Sequence, residues 1–183
     1  MLRYLSPYLF VLIIVFNQGV FVTCVDADIY WRDYGRTIPS DAFPSGHGTY
    51  IAIVIFNGGL IPATLYPHLY MAVSEGPNGR VEFRDNIKIL CTSRPESLTW
   101  EPVSVDQLNL TFLKKCIPGG YEDGSKLYIG KVFHEEEWKI GKVFPITSEW
   151  KGLRVWWNSG QTYTPQYFEV LMVATPNVTV SIN

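Results

Sequence analysis

The chain is short of cysteine, of excess charge of either sign and of helical periodicity, and each shortage removes a class of protein. Three cysteines in 183 residues are too few for a disulfide-framed miniprotein or a multi-cysteine zinc fold. A formal net charge of −2 and a sequence pI of about 5.9 leave no basic surplus to neutralise phosphates, so no nucleic-acid partner is expected. The histidines are scattered along the chain, and neither a metal nor a cofactor is expected. The patterns H-E-x-x-H, G-x-S-x-G and G-x-G-x-x-G are all missing, and no enzyme is expected. Disorder is excluded for the opposite reason: 47% of residues are hydrophobic and only 17% charged, a balance that favours a packed core.

Long apolar runs are also scarce, with one instance at the start. Arg3 precedes the run Tyr8 to Phe16 (YLFVLIIVF); Val25 and Ala27 then fit a cut before Asp28, and Val22 and Cys24 fit one before Val25. A charged start, a short apolar centre and a small-residue cut are the layout of a secretory signal. The run is shorter than the roughly 20 residues of a membrane span. Residues 1–27 are therefore expected to be a cleaved signal peptide, and the rest a secreted, extracellular chain with no membrane attachment. In an oxidising compartment Cys91 and Cys116 are expected to form one disulfide, the alternative being two buried free thiols. The bond would be worth about 3 kcal/mol in the chain-entropy model. Asn109-Leu-Thr111 and Asn177-Val-Thr179 are N-glycosylation acceptors.

What the chain does contain is period-2 patterning. Tyr50 to Phe56, Lys126 to Phe133, Gly152 to Trp157 and Tyr167 to Val173 are rich in β-branched and aromatic residues. Asn57-Gly-Gly59, Pro77-Asn-Gly79, Glu122-Asp-Gly124 and Asn158-Ser-Gly160 supply turns between such runs. This is an all-β reading. Two stretches align without a gap: Tyr50 to Pro67 and Tyr128 to Pro145, at a constant offset of 78. Trp31 and Trp100 match in front, and Asn86 to Leu90 and Tyr167 to Leu171 match behind. The expectation is two tandem, pseudo-symmetric, antiparallel β repeats, residues 28–92 and 97–174, packed about a shared core.

The second copy has an ordered set of features. Trp100-Glu-Pro is followed by Ile117-Pro-Gly-Gly-Tyr-Glu-Asp-Gly-Ser-Lys-Leu-Tyr-Ile-Gly-Lys131, then His134-Glu135, Gly141-Lys-Val-Phe-Pro145 and Tyr167-Phe-Glu-Val-Leu171. The set resembles the DM-nine repeat family, whose module reads W-x-P, G-G-x-x-D-G-x-x-Y-V-G-R, H-E, G-K-V and Y-E-V-L. The first copy keeps Trp31, Gly46-His47, Tyr50-Ile51 and Ile61-Pro-Ala63. The resemblance covers about residues 29–174. It implies a β unit with strands exchanged between repeats, and a lectin-like protein of innate immunity that binds mannose-type glycans. It also implies that the sugar is held by the acidic residue after the G-Y pair and by the lysine of the G-K pair, with help from a glutamate ahead of that lysine. Those positions are Glu122, Lys142 and Glu137. The family's aspartate is a glutamate here and the turn is one residue shorter, so Asp123 is a further candidate. In the first copy the acidic position falls at Gly48 or Thr49 and the lysine position at Thr64, so one working site per chain is expected.

The distribution of charge points the same way. Sugar hydroxyls need donors and acceptors held in place, and a carboxylate beside an ammonium supplies both in charge-assisted form. The second copy holds Glu122, Asp123, Lys126, Lys131, Glu135, Glu136, Glu137, Lys139 and Lys142, whereas Gly48 to Thr64 has no charged residue. Trp138, Trp156 and Trp157 are candidates for an apolar face against a sugar ring. Lys142 is expected to be exposed and dispensable for folding. The alternative function is an extracellular protein-interaction or structural module without sugar binding. The apolar stretch Ile51 to Leu60 is either buried between the repeats or a dimer face, and a homodimer through it is expected, since avidity offsets weak single-site affinity.

Overall fold

β-branched and aromatic side chains favour the pleated sheet, and the Gly- and Asn-rich junctions let the chain reverse. The computed structural model describes residues 28–174; the expected signal segment 1–27 and Asn177 lie outside the described residues. The first half supplies β1 (Ile29–Asp33), β2 (Pro44–Gly46), β3 (Thr49–Phe56), β4 (Gly59–Tyr66), β5 (Met71–Gly76), β6 (Gly79–Phe83) and β7 (Ile87–Thr92). The second supplies β8 (Leu98–Ser104), β9 (Pro118–Glu122), β10 (Ser125–His134), β11 (Glu137–Phe144), β12 (Gly152–Trp156), β13 (Thr162–Tyr163) and β14 (Tyr167–Val173). A single helical turn, α1 (Leu110–Leu113), lies between β8 and β9. It is capped by Asn109, an exposed acceptor candidate whose carbonyl oxygen already takes the Phe112 N–H. Among the described residues no helix is long and apolar enough to cross a membrane.

The strands are antiparallel and occur in the same order in each half. β1 pairs with β7, β7 with β3, β3 with β4, β4 with β5 and β5 with β6. Likewise β8 pairs with β14, β14 with β10, β10 with β11, β11 with β12 and β12 with β13. Bulged hairpins add β2 to β3 and β9 to β10. The sheet runs from one half into the other where Leu60 of β4 faces Tyr121 of β9. The offset seen in the sequence is also the register of the ladders: Tyr50 faces Leu65, and Tyr128 faces Val143.

The cores are built by exchange. Tyr66, Met71 and Val73 of the first half are buried with Val143, Leu153, Trp156 and Phe168 of the second. In return Leu127 and Phe144 are buried with Ala52, Val54, Ile61 and Ile89 of the first. Ile51 and Ile129 meet in a central cluster with Leu90, Ile140 and Leu171. Neither half is a closed unit, because each core is completed by side chains of the other.

Two expectations are corrected by this packing. The apolar stretch proposed as a dimer face is used inside the chain: Ile51, Ala52, Ile53 and Val54 are buried, and of that strand Ile55 is the large side chain that emerges. Cys91 and Cys116 form no disulfide; both are buried free thiols. Cys91 sits in the first-half core, paired across the sheet with Tyr30, and Cys116 sits in the second-half core opposite Met172. A bond would require the sulfurs of two separate cores to meet, which the specific geometry of a disulfide forbids without moving strands. Burial raises the Cys91 thiol to about 11 and the Cys116 thiol to about 12, so neither rests as a reactive thiolate.

Candidate functional site

The β9–β10 hairpin crosses close over β4, and a glycine permits it. Gly120 has φ +123, and a Cβ there would lie 2.0 Å from the Leu60 carbonyl oxygen. Beyond it the chain extends through Tyr121 and Glu122, then reverses at Asp123-Gly124, both at positive φ. Glu122 therefore sits on a projecting strand end above β11. There its Oε2 accepts a 2.7 Å hydrogen bond from Lys142 Nζ.

Lys142 is not exposed as expected. Its side chain is 3% accessible and that of Glu122 is 14%. On its far side Nζ lies 2.6 Å from Oε2 of Glu75, a β5 carboxylate only 1% accessible. That approach is an ion pair outside hydrogen-bonding direction, since Oε2 has no hydrogen-bond partner among the described residues. Glu75 Oε1 accepts from Arg154 Nη2 at 2.7 Å and from Thr162 Oγ1 at 2.8 Å. The result is an alternating chain of charge, Glu122, Lys142, Glu75, Arg154, in which two carboxylates balance two cations. A buried ammonium is tolerated only with such pairing. Glu122 and Arg154 form the partly accessible rim, and Lys142 and Glu75 form the floor.

Of the predicted site residues, Glu122 and Lys142 are thus brought together, and Asp123 and Glu137 are not part of the group. Asp123 occupies the left-handed turn position at φ 48 and is exposed. Glu137 opens β11 and points to a second cluster, where its Oε2 accepts from Tyr66 at 2.8 Å and its Oε1 lies 3.5 Å from Lys139 Nζ. Lys139 is fully buried and donates to Glu135 at 2.5 Å, to the Trp156 carbonyl at 3.0 Å and to Asn158 at 3.3 Å. Burial raises the Glu135 carboxyl, but the Lys139 and Asn158 hydrogen bonds and the Lys139 charge together hold it below its ordinary value. Beside it the His134 ring stacks on Tyr163 at 4.0 Å and meets Trp157 edge-on at 4.1 Å. Burial, then the Lys139 charge, lowers the His134 pKa.

The first half has no counterpart of the Glu122 position. Pro44 and Tyr50 flank its hairpin as Pro118 and Tyr128 flank the other, but His47-Gly48 turns the chain directly from Gly46 to Thr49. The projecting segment is absent rather than substituted at Gly48 or Thr49. Thr64 stands in place of Lys142, and its hydroxyl accepts the Ile140 N–H at 2.7 Å.

Glu75, Arg154 and Thr162 were missed from sequence. The family pattern places the partners of Lys142 in its own repeat, whereas Glu75 comes from the other. The signal was a lone carboxylate in the apolar strand Met71–Gly76, a residue type that is almost never buried unpaired. Among the described residues no group of His, Cys, Asp and Glu is placed to hold a metal ion.

No curated protein matches the chain. The crystal structure of the nematode sperm cell motility protein MFP2B has a similar fold, with a TM-score of 0.57 at 14% sequence identity over 84% of this chain. The likeness takes in 48% of that protein, so the chain spans about half its length. The profile described as the DM9 repeat matches residues 43–152, from the start of β2 through the end of β11 to the first residue of β12. That match covers more than half of the sequence and includes both ladders and the Glu122–Lys142 pair, and on it the chain belongs to the DM9 repeat family.

Proposed function

We propose that the protein is a secreted, lectin-like recognition protein that takes a mannose-type glycan where the rim residues Glu122 and Arg154 stand over the floor residue Lys142. The observation that carries this reading is the 2.7 Å contact between Glu122 and Lys142 at the head of a charge-balanced chain. Glu122 Oε1 has no hydrogen bond to the described residues and is left to accept from a hydroxyl. A neighbouring hydroxyl oxygen accepts a hydrogen bond from Lys142 or Arg154. Vicinal hydroxyls of a pyranose match such an adjacent acceptor and donor, and charge assistance strengthens both bonds. Glu75, Arg154 and Thr162 hold the ammonium in place before ligand arrives, which lowers the ordering cost of binding. The mannose class follows from the family resemblance, and export follows from residues 1–27.

The test is Glu122→Gln. It keeps size and rim position, removes the acceptor charge, and leaves Lys142 paired with Glu75. Mannan pull-down and a glycan array should show at least a tenfold loss, with the thermal midpoint nearly unchanged. Full retention of mannan binding by this variant overturns the site. A wild-type chain that binds no glycan on the array returns the protein to the protein-interaction reading.

A further inference from the structure

A third lysine of the second half has surroundings that neither the core nor the Glu122 site uses. Lys131 projects from β10, and its Nζ lies 4.2 Å from the ring centre of Trp138 and 4.5 Å from that of Trp100. Glu169 Oε2, on the neighbouring β14, is 3.1 Å away. Two indole faces and one carboxylate fix the ammonium. This pair lines a cleft of about 650 Å³ together with Trp138, Phe133, Tyr167 and Gln107, within the range of about 300–1,000 Å³ for small-ligand clefts. Phe133 is 52% and Tyr167 75% accessible, so these rings are not core residues. The first half carries Ile53, Leu60, Ile55 and Lys88 at the positions of Lys131, Trp138, Phe133 and Glu169, and this chemistry is confined to the second half.

We infer that this cleft is a second carbohydrate subsite, separate from Glu122, which takes one uncharged pyranose ring. The inference rests on the glycan reading above. Exposed aromatic faces accept the C–H side of a sugar ring. Lys131 offers a donor, Glu169 an acceptor and the Gln107 amide both, each at the cleft wall. The Lys131 ammonium and the Glu169 carboxylate cancel, so the cleft holds no surplus positive charge to attract a uronate or a phosphosugar and suits a neutral ring.

The experiment uses the full chain, yeast mannan as the probe and tryptophan emission as a second readout, since Trp138 lines the cleft. Four proteins are titrated: wild type, Glu122→Gln, Phe133→Ala/Tyr167→Ala, and Tyr167→Ala alone, a side chain too exposed for its loss to unfold the chain. The expected result is a fivefold or larger weakening in the double aromatic variant, a smaller weakening in Tyr167→Ala, and residual mannan-dependent emission change in Glu122→Gln. Mannan binding that is lost in Glu122→Gln but unchanged in both aromatic variants overturns the cleft and leaves the Glu122 site standing. Binding unchanged in Glu122→Gln but lost in the aromatic variants overturns the Glu122 site and supports the cleft. A wild-type chain that binds no mannan overturns both.

Discussion

β3–β4 and β10–β11 are one ladder built from two chemistries. At matching positions the first has Ile53, Ile61 and Thr64, and the second has Lys131, Lys139 and Lys142; all are buried. The backbone register does not change. Each lysine has an acidic partner where the first half has something else. Glu169 answers Lys131, whereas Lys88 faces Ile53. Glu135 and Glu137 answer Lys139, whereas Asn57 and Gly59 stand at those places beside Ile61. The first half shows that the ladder stands without buried charge, as expected if well-packed apolar residues are at least as stabilising as a buried ion pair. The register of this ladder therefore does not depend on the charges of the second half. The hairpin tips agree. Asn57-Gly58 and Glu135-Glu136 both adopt positive φ. Asn-Gly is the residue pair such a turn favours, whereas two glutamates there each cost on the order of 1–3 kcal/mol. The strained version brings Glu135 to Lys139.

The sharpest way to break the comparison is to move one charge across without its partner. Ile61→Lys places an ammonium where neither Asn57 nor Gly59 can pair it. The expected loss is about 5 kcal/mol, or failure to fold, because an uncompensated buried charge has no solvent to return to. Urea denaturation measures it, and a variant within about 1 kcal/mol of wild type would mean that this half can hold charge after all. The converse change, Lys142→Met, strips the counter-ion from Glu75 and Glu122 and should cost about 3–5 kcal/mol. Adding Glu75→Gln should return a good part of that loss, since the pair is coupled; additive losses would dissolve the proposed charge chain. Thr64→Val, at the equivalent position, should cost only about 1–3 kcal/mol by leaving the Ile140 N–H unpaired. A cost as large as that of Lys142→Met would erase the distinction between the two sites.

The repetition was legible because a β-ladder stores its register in side-chain alternation, so Tyr50 and Tyr128 could be matched before any strand pairing was known. The contact between Glu122 and Lys142 was legible only through the family resemblance, since they lie on different strands, 20 residues apart. The lone carboxylate of Met71–Gly76 marks Glu75 as a residue in need of a partner, but not which one, because the exchange of β5 into the other half's core is a tertiary event with no local pattern. For the same reason Lys142 was read as exposed: alternation tells which face a side chain takes, not whether another strand covers that face. The cysteines failed differently. Compartment and count suggested a bond, but whether two sulfurs meet depends on which core each enters, and strand pairing sends them to different ones.

The smallest expected effect lies at the last step of the β10 strand, where His134 matches Phe56 of β3. Burial and then Lys139 lower the His134 pKa, while Glu135 and Glu137 raise it by less. A histidine kept neutral by the fold binds fewer protons there than in the unfolded chain. Its contribution is therefore complete above its unfolded value of about 6.5 and is lost as pH falls below that value. Glu135, held low, contributes in a separate window: its share is present above its own unfolded value, near 4.5, and is lost as pH falls through its depressed folded value. A comparison of thermal midpoints at about pH 7.5 and about pH 5.5 thus reads the histidine's window apart from that of Glu135. His134→Phe imports the residue of the first half, keeps an aromatic ring against Tyr163 and Trp157, and removes the titration. The drop in midpoint on acidification should shrink in this variant. An undiminished drop would place the acid sensitivity outside the Lys139 cluster, and the two hairpin ends would then differ in chemistry without differing in response to pH.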